Sequence, residues 1–139
     1  MVVFDNSNTQ TKVAYFIEIW KKVFIDKTES PDEVIKRYFT TDYRFYINGI
    51  VLSYTDMLNR AKLMRSDIKS AEITIIDALS ELNKLATIHQ VDALTQEDKH
   101  VRIYLHNFLE FEAEKIKIVR SLTQNLIGDK KNADIASRH

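Results

Sequence analysis

Four groups of side chains in this chain are of a kind that does chemistry. Asp92, in Gln90-Val91-Asp92, stands near the end of an extended run, three residues before a polar loop. It reads either as a solvated, turn-capping carboxylate or as an acid inside a pocket. Asp77, Asn107 and Arg120 share one mostly aliphatic sheet face in the strand pairing set out below. They are a polar lining for a pocket, or else a satisfied core network or a salt bridge at its mouth. His89 and His106 fall on the opposite face, as an acid–base or metal pair or as interface histidines bonded to Tyr104, Ser121 or Thr123. Two histidines without a placed carboxylate are thin for zinc. Tyr15 and Trp20 lie in the apolar stripe of the first helix, as core or as the wall of a ligand site. His100 and His139, at a loop edge and at the terminus, are given no role.

The whole chain narrows these options. Its 139 residues are the size of one domain, and 45% hydrophobic residues suffice for a core. Lysine plus arginine equals aspartate plus glutamate at 20 each, so there is no general attraction to nucleic acid or anionic membrane. The chain has no cysteine, which removes disulfides, thiolate zinc sites and cysteine nucleophiles together. No apolar run approaches the ~20 residues of a membrane span, and the first residues lack the pattern of a signal peptide. The expectation is a cytoplasmic protein of one domain, 1–139, with a short arm over 1–8 and a polar tail over 128–139. It calls for no cofactor, no metal, no nucleic acid and no membrane.

The elements that must position these groups follow from periodicity. Val13, Phe16, Ile17, Trp20, Val23 and Phe24 recur at three and four from Thr9 onward, one face of a helix that stops near Asp26. Ser30-Pro31-Asp32-Glu33 is a helix start, with a hydroxyl at the cap and proline at the first helical position. Val34, Ile35, Tyr38 and Phe39 form its short stripe. Residues 43–47 read as a strand closed by Asn48-Gly49. Ser53-Tyr54-Thr55-Asp56 caps a third helix with the stripe Tyr54, Met57, Leu58, Ala61, Met64 and Ile68. From there the period becomes two, and strands are predicted over 70–80, 84–94, 100–111 and 115–126.

Strands in a block after helices indicate an α+β fold, with the three N-terminal helices packed on an antiparallel sheet. Short links make the last four strands a meander. With Leu82-Asn83, Thr95–Asp98 and Ala113-Glu114 as turns, Asp77 faces Ile88, His89 faces Tyr104, Glu112 faces Lys115 and Leu105 faces Leu122. The face of Ile73, Ile75, Asp77, Ala86, Ile88, Gln90, Asp92, Ile103, Leu105, Asn107, Arg120 and Leu122 is mostly aliphatic and is expected to lie under the helices. The face of His89, Tyr104, His106, Phe108 and Val119 mixes aromatic and polar groups, which suits contact with another subunit.

The order of elements, the meander, and the last hairpin resemble the nuclear-transport-factor-2-like superfamily. That hairpin has Phe108-Leu109-Glu110-Phe111 before its turn and Lys115-Ile116 after it. Within the superfamily the chain is similar to the SnoaL-like group of small bacterial proteins, from about Thr9 to the tail; Leu126-Ile127-Gly128-Asp129 and Ala136-Ser137-Arg138 look like that group's ending. The resemblance implies a curved sheet wrapped round a long helix as a cone, a pocket at the open end, and a homodimer built through the sheet. Relatives include ketosteroid isomerase, polyketide cyclases and limonene epoxide hydrolase, beside members that only bind a ligand or a protein, so fold leaves function open.

The epoxide hydrolase pattern of Tyr-x-Asn on the first strand is matched at Tyr46-Ile47-Asn48. Its Arg-x-Asp is met by Gln90-Val91-Asp92, which keeps the acid and lacks the arginine; its last acid aligns near Ser121 and is absent. For an isomerase-like reaction, Asp92 or Asp77 would supply a carboxylate and Tyr46, Tyr15 or Tyr38 a phenol. The implied function is a mostly apolar pocket for a small carbonyl or epoxide compound. Such a protein is a plain binder, or a lyase, isomerase or hydrolase working by acid–base chemistry. If it is catalytic, Asp92 is the base and Tyr46 and Asn48 hold an oxygen. Gln90, Asn107, Arg120, Tyr15 and Trp20 complete the expected binding set. The alternative is a non-catalytic protein-interaction module.

Overall fold

A computed structural model describes residues 8–128. Of the arm expected over 1–8, residues 1–7 lie outside the described residues, as do the tail beyond Gly128 and the Ala136-Ser137-Arg138 ending; Asn8 caps α1. The elements run α1 (Thr9–Phe24), α2 (Pro31–Tyr38), β1 (Phe39–Ile47), β2 (Ile50–Ser53), α3 (Tyr54–Asp67), β3 (Ile68–Glu81), β4 (Lys84–Thr95), β5 (His100–Glu112) and β6 (Lys115–Ile127). Among the described residues, no helix is long and apolar enough to cross a membrane.

The helix starts are local chemistry. Asn8 accepts from the Thr11 amide, and Ser30 Oγ accepts from the Glu33 amide at 3.3 Å. At α3 the box is reciprocal: Ser53 Oγ accepts from the Asp56 amide, and Asp56 Oδ2 accepts from the Ser53 amide at 2.8 Å. Helix α1 ends through a tertiary contact. Arg65, buried on α3, donates from Nε to Val23 O (3.0 Å), from Nη2 to Lys22 O (2.7 Å) and from Nη1 to Glu29 O (2.6 Å). Carbonyls at a helix end have no partner within the helix, and here one guanidinium takes them up.

Asn48-Gly49 turns β1 into β2, with φ of 46° and 89° at the two residues, the mirror-image turn that suits strand twist. That second strand was not among the sequence expectations. Six strands form one sheet in the order β2-β1-β6-β5-β4-β3. Every neighbouring pair is antiparallel except β1 and β6, which run parallel. The sheet is therefore mixed, which corrects the all-antiparallel expectation. The physical reason is the path of the chain. Helix α3 carries it from the edge strand β2 to the opposite edge strand β3, and the meander then returns to lay β6 alongside β1.

The hairpin registers hold next to two of the turns and slip elsewhere. Glu112 faces Lys115 and Asp77 faces Ile88, as expected. Irregularities at Ile75/Asp77 and Glu110/Phe111 then shift the pairing, so Leu105 faces Thr123 instead of Leu122. The β4–β5 link takes one more residue than Thr95–Asp98. Lys99 O accepts from the Thr95 amide, Asp98 adopts a φ of 62°, and His89 faces Leu105, not Tyr104. A slip of one residue exchanges faces. The inner face is Leu85, Thr87, His89, Val91 and Ala93 of β4 with Val101, Ile103, Leu105, Leu109 and Phe111 of β5, all buried. Ala86, Ile88, Gln90, Asp92, Arg120 and Leu122 point the other way, opposite to the expectation.

Onto the inner face pack Phe16, Ile19, Val23 and Phe24 of α1, with Met57, Ala61 and Met64 of α3 and Val34 and Ile35 of α2. Each large apolar side chain so buried contributes ~1.5–3 kcal/mol. The Arg65 clamp predicts that Arg65→Met lowers stability by about 2–4 kcal/mol, since three carbonyls lose a charged donor at once. In urea unfolding the midpoint should fall at constant slope, and Arg65→Lys should recover only part of the loss.

Candidate functional site

Alternation along β4 and β5 delivers a few polar side chains to an inner face that is otherwise apolar. Thr87 lies beside Asn107 and Asn107 beside Ser121, across three neighbouring strands; His89 is the next inward residue of β4. Opposite them, α3 contributes Arg60 and α1 contributes Phe16 and Trp20. Arg60, His89 and Asn107 line one cavity of about 60 Å³. Aromatic and aliphatic side chains complete it, among them Phe16, Trp20, Phe24, Phe45, Leu105 and Val119.

Desolvation governs the electrostatics here. His89 Nδ1 lies 2.9 Å from Thr87 Oγ1, and Phe16 packs its ring edgewise on the imidazole. Burial, with His106 as a lesser cause, pushes the His89 pKa down to about 4, so the ring is neutral at pH 7. Burial lowers Arg60 to about 10, and it stays charged. Its guanidinium carbon lies 5.0 Å from the ring centres of both Phe24 and Phe45. Arg60 Nε, Asn107 Oδ1 and Ser121 Oγ are sealed from solvent with no hydrogen-bond partner. Buried polar atoms are seldom left so. The arrangement offers a charged donor, a neutral imidazole and an amide acceptor to something small. No carboxylate is among the residues lining the cavity.

Of the residues expected at the site, Trp20 and Asn107 do line this cavity. Tyr15 is buried at another place, donating from its hydroxyl to Glu114 O at 2.7 Å and packing on Tyr38 and Phe111. Asp92 is on the outer face, accepting from Arg102 Nε (2.7 Å), Gln90 Nε2 (2.8 Å) and His100 Nε2 (2.9 Å). Partial burial pushes its pKa up, and these three bonds more than offset that, holding the carboxyl below its usual range. Tyr46 and Asn48 belong to β1 and its turn, three places along the sheet from Asp92, so the three do not converge. Asn48 is tied to β6, donating from Nδ2 to Thr123 Oγ1 (2.6 Å) and accepting from the Thr123 amide (3.1 Å).

Tyr46, Asn48, Arg120 and Asn107 do meet, with Val51, Phe108 and Leu122, around an open cleft of about 490 Å³ at the β1–β2 turn. Arg120 stacks 4.3 Å over the Tyr46 ring. Asp77 is exposed, with Oδ1 accepting from the Ala78 amide; it shares an open outer cleft with Asn107 and His106 that Arg120 does not line. His89 and His106 occupy opposite faces, which separates the expected pair.

Arg60 was missed as a site residue. Its signal was its spacing: it stands three residues after Met57 and four before Met64, inside the apolar stripe of α3.

No family model matches the chain. A curated relative, the uncharacterized protein C11D3.04c of Schizosaccharomyces pombe, is 27% identical over 122 residues, covering 88% of this chain and 93% of the relative. Among solved structures, an NTF2-like protein of unknown function from Cytophaga hutchinsonii superposes with a TM-score of 0.57 at 18% identity, covering 80% of this chain and 97% of that one. A SnoaL-like protein from a Jannaschia species gives 0.59 at 8% identity, covering 80% and 86%. The chain has the NTF2-like fold. A protein with a ketosteroid isomerase-like fold from Catenulispora acidiphila, solved in complex with trimethylamine, gives 0.60 at 11% identity, covering 76% and 82%. The cavity thus lies inside an NTF2-like cone, between its first helix, its third helix and the inner sheet face.

Within this cone His89 makes a testable pH dependence. Its folded pKa is depressed, so the unfolded chain binds the proton more tightly. The stability His89 contributes is complete above its ordinary 6.5 and is lost as pH falls toward about 4. The loss is on the order of 3 kcal/mol below that window. Urea unfolding of the wild type and of His89→Gln at pH 7, 5.5 and 4.5 should show the wild type falling more steeply; parallel profiles would refute the assignment.

Proposed function

We propose that this protein binds a small, mostly apolar molecule inside the cone, with a polar end held by Arg60, His89 and Asn107. What carries the reading is the convergence of these three side chains on one cavity whose other walls are aromatic and aliphatic. Ligand sites are commonly of this kind, an apolar body with a few placed polar groups. At about 60 Å³ the cavity suits a compact molecule, with half-buried Trp20 in its wall. The reading is binding and not acid–base turnover. The carboxylate needed for the isomerase-like reaction is not in the lining, and Asp92 is held as an ionised partner of Arg102 on the outer face.

Trp20 is the chain's one tryptophan, so its fluorescence reports on this cavity alone. Titration with small carbonyl compounds such as cyclohexanone and benzaldehyde, and with carboxylates of similar size, should give a saturable change in emission for at least one of them. Asn107→Leu should weaken that response by roughly tenfold, the worth of one hydrogen bond inside the site. A flat emission across the panel, with no rise in melting temperature, would dismiss the pocket.

The chain is also proposed to pair with a second copy through the outer sheet face. Leu79, Leu122 and Phe108 stand there 75%, 67% and 43% exposed, with Val51 close by, more apolar surface than a single copy needs to leave in water. Sedimentation equilibrium should give twice the 16.3 kDa chain mass. Leu122→Glu combined with Phe108→Glu should return the monomer with its circular dichroism unchanged. A wild type that sediments as a monomer at all concentrations would remove this proposal without touching the first.

A further inference from the structure

Two arginines of α3 are buried, and they are buried differently. Arg65 spends its nitrogens on three backbone carbonyls. This is how a structural arginine is satisfied in this chain. Arg60, 6% exposed and five residues earlier, makes no such bond. Among the described residues no carboxylate pairs with it, and its Nε has no acceptor. Phe24 and Phe45 offer their ring faces, which ease the positive charge but accept nothing from N–H groups in the guanidinium plane. A buried charge whose donors are unmet is strongly unfavourable unless something else brings the acceptors.

We infer that Arg60 is the anchor of an anion site inside the cone, and that the small molecule bound there is a monocarboxylate with a short apolar body. This rests on the binding function proposed above and names its ligand class. The guanidinium fork matches a carboxylate bidentately, as a single cation matches a single negative charge. Arginine keeps its charge at neutral pH even when burial opposes it. The apolar body would lie against Phe16, Trp20, Leu105 and Val119, which share the cavity with Arg60. A cavity of about 60 Å³ is small, which favours short acids over fatty acids or phosphate esters.

The test compares sodium acetate, propionate and butyrate with acetamide, propionamide and butyramide, and with trimethylamine, at one ionic strength set by sodium chloride. Melting temperature and Trp20 emission are followed in wild type, Arg60→Met and Arg60→Lys. The acids should raise the wild-type melting temperature by roughly 3 °C or more. The matched amides and trimethylamine should not. Arg60→Met should weaken binding of the acids by at least ~30-fold, and Arg60→Lys should retain part of it. Amides that bind wild type and Arg60→Met equally well, with acids no better, would overturn the anion site and leave the pocket standing. No response to any compound would overturn both. Should Arg60→Met fail to fold, arginine Nε–H resonances of the isotope-labelled wild type decide the matter. Butyrate should move one solvent-protected signal, and a spectrum that does not change refutes the site.

Discussion

An open cone of sheet has an inner face that must be filled, and in this chain α1 fills it. Phe16, Ile19, Val23 and Phe24 all point from one side of that helix into the strands, and all are buried. If α1 were withdrawn, the inner faces of β4, β5 and β6 would stand open to water, at a cost far above the ~5–15 kcal/mol that keeps a domain folded. The remaining elements serve this packing. Arg65 reaches from α3 to close the end of α1, and the Tyr15 hydroxyl ties the helix to the β5–β6 turn through Glu114 O. The parallel pairing of β1 with β6 joins the short β1–β2 ribbon to the meander, so that one continuous sheet surrounds the wedge.

The same packing leaves a small remainder. An inner face that also carries Thr87, His89, Asn107 and Ser121 is not closed as tightly as an apolar one. Thr87 and His89 satisfy each other. Asn107, Ser121 and Arg60 retain atoms without partners. Proteins usually remove such groups or pair them, because desolvation is charged in full while the compensating bond is missing. Arg60 and Asn107 line the same cavity, and the ligand proposed for it would supply their missing partners.

The outer face obeys a different rule. Asp92 has its needs met by Gln90, Arg102 and His100 in a polar cluster at one end of the sheet. Leu79, Phe108 and Leu122 leave an apolar stretch elsewhere on the same face. That apolar stretch is what the proposed pairing with a second copy would cover.

Local chemistry was readable without the fold. Helix starts at Ser30 and Ser53 follow from a hydroxyl placed three residues before an acceptor-seeking amide, and the helical stripes and the four-strand meander follow from periods of 3.6 and two. The resemblance to NTF2-like proteins was likewise carried by the order of those elements. What one strand shows to the core was not readable. β4 alternates Leu85, Thr87, His89 and Val91 with Ala86, Ile88, Gln90 and Asp92, two sets of similar apolarity, so neither face declares itself. The choice fell to one added residue in the β4–β5 turn and to local bulges, features with no period. The added turn residue carried Asp92 and Gln90 outward and His89 inward, and the irregularity at Glu110/Phe111 carried Arg120 outward. The parallel neighbour of β1 was hidden for a similar reason, since which strand closes a sheet depends on where α3 delivers the chain. Arg60 was written into the α3 stripe by its spacing. Whether a buried arginine finds carbonyls, as Arg65 does, or an unfilled cavity is decided only when distant segments pack.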